Sequence, residues 1–425
     1  MNKILMITPA FPPYEGSHTQ RMVSIANSLV GDGFDVCVLT TEIMEGHPSY
    51  TINSSLHVDS RINTIRVPAG FIHKNVYSQT NSSGGPQKRF GIKKKVIRFA
   101  NKIKRNLMIP DTMIDWYYAV KKYIKTNNTI ESINPDIVYS CSMPNTCHLI
   151  GYYISKHYNI TQIMDYGDPW VYITGYGHNK MRFMLEKAME KKILANSKMV
   201  SFSANGCEKL YREKFQLNSK KTLTVLTGYD SSLIERSISY KSKSHKGILM
   251  SYGGVLKGSV RNPRPFFEAL NRLGEKKRDL RFDIRTNDVT YIKDLTVEYL
   301  VDDCVNVKPY IPFEQYYDEM LESDILVFFG NSTTDQLPGK IFNYIASGKL
   351  MFYISNTEKL EEDQGALIAK EYGYSVIAKN NVEDISNGLE KAVKMLNQEH
   401  AVATSVQKYS TDAQMMLLVK KLGSL

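Results

Sequence analysis

No run of apolar residues in this 425-residue chain approaches the roughly 20 positions that a membrane-crossing helix needs. A protein built from membrane-spanning helices is therefore excluded. Cysteine is scarce. The five residues, Cys37, Cys141, Cys147, Cys207 and Cys304, are scattered, and no two have the spacing of a CxxC pair or a zinc knuckle. That excludes a disulfide scaffold and leaves reduced, structural thiols as the expectation. The neighbours Cys147 and His148 lack further ligands at metal-site spacing, so no metal is expected. The opening MNKILMITPAF has one lysine and only a short apolar run. It is too short for a signal-peptide core and reads as a first strand, so a cytoplasmic protein is expected. No short internal repeat is visible.

Acidic residues are also in deficit. There are 54 Lys and Arg against 43 Asp and Glu, a formal charge of +11 and a pI near 9.1. Such a balance calls for an anionic partner: nucleic acid, membrane or nucleotide. The imbalance is concentrated in residues 88–109, KRFGIKKKVIRFANKIKRNLMI, which contain no acid at all. Ile92, Val96, Phe99, Ile103 and Leu107 recur at helical spacing, giving one apolar face. Two readings stand: an amphipathic helix on an anionic membrane surface, or a solvated basic face on a helix packed against its own domain. Mutual repulsion among nine cations favours the first. No nucleic-acid reader motif or stacking platform is present, so nucleic acid is not an expected partner.

What is present is alternation. KILMIT, FDVCVLTT, INTIRVP, DIVYSCS, ITQIMDY, MVSFSA and TLTVLT read as strands, with helical stretches between several of them. The pattern restarts with GILMSYGG, LRFDIRT, CVNVKPY, DILVFFG, LMFYIS and YSVIA. This is an α/β chain with two Rossmann-like domains, parallel sheets and a cleft between them. The polar, Ser-rich stretch DSSLIERSISYKSKSH near Asp230–His245 reads as the joint. The boundaries are set at 1–228 and 229–403, with a terminal helix at 404–425 crossing back.

Four clusters carry chemistry. In DQLPGKIFNYIASGK, Pro338 suits a first helical turn and Gly348 a helix end. The free N–H groups around Leu337, Gly339 and Lys340 would form an anion site, although an ordinary Pro-initiated helix reads the same way. In YGGVLKGSVR, Gly253 and Gly254 allow close backbone approach, and Lys257 and Arg261 follow; the spacing matches neither a Walker loop nor GxGxxG. Two cations beyond a Gly turn suit a diphosphate, or are plain surface charges. In MDYGDPW, Asp165 and Asp168 stand at a strand end, as hydroxyl binders, a base, or loop caps. In PPYEGSHTQR, Gly16, Ser17, His18 and Arg21 lie at the first strand–helix junction and would hold an anion or a sugar.

Together these motifs, with NPDIVYSCSMP, TVLTGYD and YIPFEQYYDEMLESDILVFFG, resemble the retaining GT-B glycosyltransferases of bacterial surface polysaccharide (capsule or O-antigen) synthesis, family 4-like. The resemblance spans nearly the whole chain. It implies a first domain that binds acceptor and a second that binds a nucleotide sugar, with no metal or other cofactor. It implies that Arg261 and Lys257 stabilise the diphosphate, and that Leu337, Pro338, Gly339 and Lys340 contact it. Asp335 would hold the donor sugar and Asn343 the ribose. Tyr310 and Ile311 would frame the base. Asp168 and Gly16 would border the reacting sugar and acceptor, with Ser17, His18 and Arg21 on the acceptor side. The family's usual glutamate pair around this helix is replaced here by Asp335 and Asn343; an amide still bonds a hydroxyl, without the charged acceptor's extra strength. A lipid-linked saccharide acceptor and attachment to the inner membrane face through 88–109 follow from the same resemblance. An epimerase or polyol-phosphate transferase on this fold, or a non-catalytic partner subunit, are the alternatives.

Overall fold

The computed structural model describes residues 2–14, 16–42, 56–68, 108–241, 245–256, 258, 260–396 and 404–424. The chain divides into two compact units, Met1–Val225 with Met415–Leu425, and Leu226–Gln414. The basic segment 88–109 lies outside the described residues apart from Met108 and Ile109, as does Lys257.

In the first unit seven strands form a parallel sheet among the described residues: β1 (Lys3–Ile7), β2 (Asp35–Thr41), β3 (Asn63–Val67), β4 (Ile137–Ser142), β5 (Thr161–Tyr166), β6 (Met199–Phe202) and β7 (Thr222–Thr224). Their order is β3-β2-β1-β4-β5-β6-β7, so the direction of winding reverses between β1 and β4. Strand periodicity divides the core in two. Ile4 and Met6 pack with Val36, Val38 and Tyr139 against Met22, Ile25 and Leu29 of helix Ser17–Gly31. Leu5 and Ile7 pack with Leu39, Val138, Trp116 and Ile150 on the other side. Covering both faces is what makes these strands read as unbroken apolar runs.

One ion pair crosses this layer. Arg21 is 4% exposed and Asp165 fully buried. Arg21 Nε donates to Asp165 Oδ2 (3.1 Å), Nη2 to Oδ1 (2.8 Å) and Nη1 to the carbonyl of Val225 (2.8 Å). Ser201 Oγ adds a third donor to Asp165 Oδ1 at 2.7 Å. Burial alone would raise the Asp165 pKa; the charge and hydrogen bonds of Arg21, helped by Ser201, outweigh it and hold the carboxyl below the usual range.

In the second unit β8 (Ile248–Gly253), β9 (Leu280–Arg285), β10 (Val305–Lys308), β11 (Ile325–Phe329), β12 (Leu350–Ser355) and β13 (Ser375–Lys379) form a parallel sheet of order β10-β9-β8-β11-β12-β13. Met250, Ile325, Val327 and Phe352 face one core; Leu326, Phe328, Met351 and Tyr353 face another. At the reversal point β8 and β11 pair only through Met250–Ile325 and Ser251–Leu326. Tyr252, Gly253 and the end of β11 are thus not laddered to each other.

Two boundaries differ from the sequence reading. The Ser-rich joint is not a linker: Ser231–Ser239 is a helix, capped by the Asp230 carboxylate on Ser232 N (2.9 Å) and packed through Leu233 into the second unit. The returning segment is shorter than 404–425. Residues up to Gln414 belong to the second unit, where Tyr229 bonds Tyr409 and Thr411 and the Gln414 amide oxygen accepts from Leu226 N (2.8 Å). Met415, Leu418 and Leu422, with the partly buried Val419, join the first core.

Replacing Asp165 by Asn leaves the Arg21 charge buried without its counter-ion, and is expected to cost about 3–5 kcal/mol in a denaturant titration. Because the folded pKa is depressed, the native protein keeps this contribution above the unfolded carboxyl pKa. It loses it as pH falls through the folded value, and Asp165→Asn removes that part of the acid sensitivity.

Candidate anion and nucleoside site

The second unit's switch point is closed by a lysine. Helix Lys340–Ser347 follows β11 and ends at Gly348, whose φ of 70° suits a glycine C-cap. Its first turn begins later than the sequence reading placed it. Pro338 lies just before the cap residue, Gly339. Ile341 N and Phe342 N bond the carbonyls of Pro338 and Gly339 at 3.2 and 3.1 Å. Among the described residues the amides of Gly339 and Lys340 have no acceptor, as expected at a helix start.

Lys340 turns back from that start toward β8. Its Nζ donates to the Gly253 carbonyl (2.9 Å) and lies 4.0 Å from the Tyr252 ring centroid and 5.4 Å from that of Phe328. Loss of hydration, then the charge of Arg261, pulls its pKa well below the ordinary lysine value. Arg261 is held by Nε to Asn331 Oδ1 (3.0 Å) and Nη1 to the Val255 carbonyl (3.4 Å). Among the described residues neither cation has a carboxylate partner. Two basic side chains drawn together without an acid make this a candidate anion site.

The glycine turn makes this approach possible. Gly254 has a φ of 152°, and a Cβ there would lie 2.5 Å from Lys340 Nζ. A Cβ on Gly253 would lie 2.4 Å from the Tyr316 ring. Both glycines, with Arg285, Tyr310, Ile311, Phe313, Tyr316, Met320, Lys340, Asn343 and Tyr344, line a cavity of about 270 Å³. Asn343 does face this cavity, with Tyr310 and Ile311 on its wall. Leu337 packs against the neighbouring core. Asp335 is 9% exposed, and its Oδ2 is buried without a hydrogen-bond partner.

Arg285 escaped the sequence reading. It lies at the carboxyl end of β9, where its Nε donates to Glu319 Oε2 (2.9 Å), Nη2 to Oε1, and Nη1 to the Pro309 carbonyl (3.1 Å). Its position at a strand end was the available signal. Tyr252, Tyr316 and Asn331 were missed because their roles arise only from packing.

In the first unit, Gly16 is an exposed N-cap at φ 145° with no side-chain cap, and Ser17 opens the helix. His18 has a buried, unpartnered Nε2. Burial, only partly offset by Asp165, lowers its pKa to about 4, so it is neutral near pH 7. Asp168 is half-buried in the loop after β5. Arg21 does not serve as an acceptor-binding group: its guanidinium is committed to Asp165 and Val225 inside the core. For the same reason Asp165 is not a hydroxyl binder.

Neither a scan against protein-family models nor a search of curated proteins finds a match. Solved structures do match. Sucrose-phosphate synthase from Thermosynechococcus elongatus superposes with a TM-score of 0.63 at 13% identity, covering 100% of both chains. HepE from Anabaena, solved with UDP and glucose, gives 0.61 at 11% identity, again over 100% of both. A protein assigned as a UDP-N-acetylglucosamine 2-epimerase from Listeria monocytogenes gives 0.52 at 12% identity, over 99% of this chain and 96% of the other. These likenesses show the fold: it is GT-B.

Gly254→Ala displaces the Lys340 ammonium. Affinity for inorganic pyrophosphate, read by calorimetry, is expected to fall about tenfold to a hundredfold, the worth of one charge-assisted hydrogen bond. Unchanged affinity would remove Lys340 from the anion site.

Proposed function

We propose that this chain is a glycosyltransferase that moves a sugar from a nucleotide-sugar donor to a saccharide acceptor. The observation that carries the reading is the pair of cations without a carboxylate, Lys340 and Arg261, beside a cavity faced by Asn343. A nucleoside diphosphate supplies what each part lacks. Its phosphates take Arg261, Lys340, Lys257 and the free amides at Gly339 and Lys340, with Leu337 and Pro338 against them. Its ribose hydroxyls take Asn343, and its base lies along Tyr310 and Ile311. The unpartnered Asp335 oxygen accepts from hydroxyls of the donor sugar. Gly16, Ser17, His18 and Asp168 contribute the acceptor side.

The chemistry needs no metal in this reading. The bond from the anomeric carbon to the phosphate oxygen breaks. The negative charge growing on that oxygen is met by the two cations and the helix start. The acceptor hydroxyl attacks on the departing side and gives its proton to the leaving phosphate, so configuration is retained. The acceptor is a lipid-linked saccharide of surface-polymer synthesis. The basic segment 88–109 and the overall positive charge support work at an anionic membrane face. No helix among the described residues is long and apolar enough to cross a membrane.

One observation favours a second reading. Asn343 replaces an acid in the motif, which suits a non-catalytic partner subunit. An epimerase shares the fold, as the Listeria structure illustrates. Thermal-shift and calorimetric screens against UDP-, GDP-, dTDP- and CMP-sugars without metal distinguish these. Binding of one nucleotide class supports the transferase or the epimerase. Sugar transfer lost in Arg261→Ala at unchanged melting temperature selects the transferase, whereas no nucleotide binding by a folded protein selects the partner subunit.

Diphosphate binding restores a counter-charge to Lys340 and raises its depressed pKa. The complex therefore takes up protons, and affinity declines as pH rises from the free to the bound pKa. Calorimetry in buffers of different ionisation enthalpy is expected to show uptake, and Lys340→Met to abolish it.

A further inference from the structure

The first turns of helix Lys180–Asn196 put charged residues inside and apolar ones outside. The buried face carries Arg182, Glu186 and Glu190 at four-residue steps, ahead of Ile193 and Leu194. Arg182 Nε donates to Glu186 Oε1 (2.5 Å), and its Nη2 to the carbonyls of Met108 and Pro110 (2.9 Å each). Trp170 Nε1 donates to Glu186 Oε2 (2.9 Å) and Tyr211 Oη to Glu190 Oε1 (2.5 Å). Both acids of the helix are thus spent inside the unit. Outside, Met181, Met184 and Leu185 are 72%, 58% and 48% exposed. Positions i, i+3 and i+4 form one continuous patch. The helix's four lysines, Lys180, Lys187, Lys191 and Lys192, have no acid of the same helix left to face them.

The neighbouring helices continue the charge. Tyr152 and Tyr153 of helix Thr146–Tyr158 lie under lysines from both sides: Lys192 Nζ is 5.7 Å from the Tyr152 ring, and Lys121 Nζ 4.8 Å from the Tyr153 ring. Helix Ile114–Asn127 therefore flanks the same middle helix. It adds Lys121, Lys122 and Lys125 and an exposed Tyr118 (64%), against one half-buried acid, Asp115. Helix Thr146–Tyr158 has no acid in its sequence.

We propose that this three-helix layer of the first unit is itself a docking surface for an anionic phospholipid bilayer, with Met181, Met184 and Leu185 as the apolar insert. The argument is charge complementarity joined to exposed apolar side chains. Methionine and leucine enter the acyl boundary, and lysines snorkel to the headgroups. A neutral apolar groove on a protein would leave the lysines unmatched. Met108 and Pro110, which follow the basic sequence 88–107, are tied to Arg182 on the buried face of the helix. The proposal does not rest on that sequence, nor on the donor site.

The test uses the full chain and vesicles of phosphatidylcholine with or without phosphatidylglycerol. Flotation is expected with phosphatidylglycerol and not without it. The triple variant Met181→Ser, Met184→Ser, Leu185→Ser keeps its melting temperature, because these side chains are exposed, and is expected to partition at least about tenfold more weakly. All five native cysteines are buried, so Leu185→Cys accepts an environment-sensitive fluorophore selectively. Its emission is expected to shift to the blue on phosphatidylglycerol vesicles. Wild-type binding by the folded triple variant overturns the proposal, and so does an unshifted label on vesicle-bound protein. Self-association without lipid that the triple variant abolishes identifies a protein interface instead, and also overturns it. Nucleotide affinity of the same variants is read separately. A chain that binds vesicles but no nucleotide keeps this surface and loses the glycosyltransferase reading.

Discussion

The Lys340–Gly253 hydrogen bond is the contact on which the second unit's site depends. It joins the start of a helix after β11 to the end of β8, across the point where the two strands cease to pair. Everything nearby is shaped to admit it. Gly254 leaves room for the ammonium, Tyr252 offers it a ring face, and Asn331 orients the second cation. Burial and the neighbouring charge of Arg261 both disfavour the charged form of Lys340.

A comparable device in the first unit does something different. Arg21, like Lys340, reaches from a helix to a strand end, but there it meets Asp165 of β5. With the acid present the cation is neutralised, buried and structural. With no carboxylate opposite it among the described residues, Lys340 has a carbonyl and a ring face as its partners. Residue type alone does not separate the two, since both are basic residues near the start of helices that follow a strand. The deciding fact is the carboxylate at the other end of the contact, which lies 144 residues away in sequence.

This explains how much was legible beforehand. Of the thirteen strands among the described residues, twelve lie within the stretches read from the sequence and β13 runs one residue beyond, because parallel strands covered on both faces need continuous apolar residues. Asn343 was readable as a polar residue on an otherwise apolar helix, and it does face a cavity. Arg21 was misread because its partner is remote. Ser231–Ser239 was misread because serines resemble a linker, while the Asp230 cap and Leu233 are enough to fix a helix. Tyr316 was invisible, since packing gives it its place, and Arg285 carried only the signal of its strand end.

The charge of the site constrains what it can select. If Asn343 were an acid, part of the positive field of Lys340 and Arg261 would be cancelled within the cavity. As an amide it leaves that field whole. In the proposed glycosyltransferase it would offer a ribose only neutral hydrogen bonds, roughly half as strong as charge-assisted ones. Affinity would thereby move from the sugar of the nucleoside to its phosphates. A donor would then be held mainly through the group that departs, and its strongest contacts would be those that tighten as the leaving group gains charge. Binding energy concentrated there would favour the transition state over the bound donor. An amide at Asn343 is in that sense compatible with the proposed turnover, provided that Lys340 and Arg261 remain without carboxylate partners.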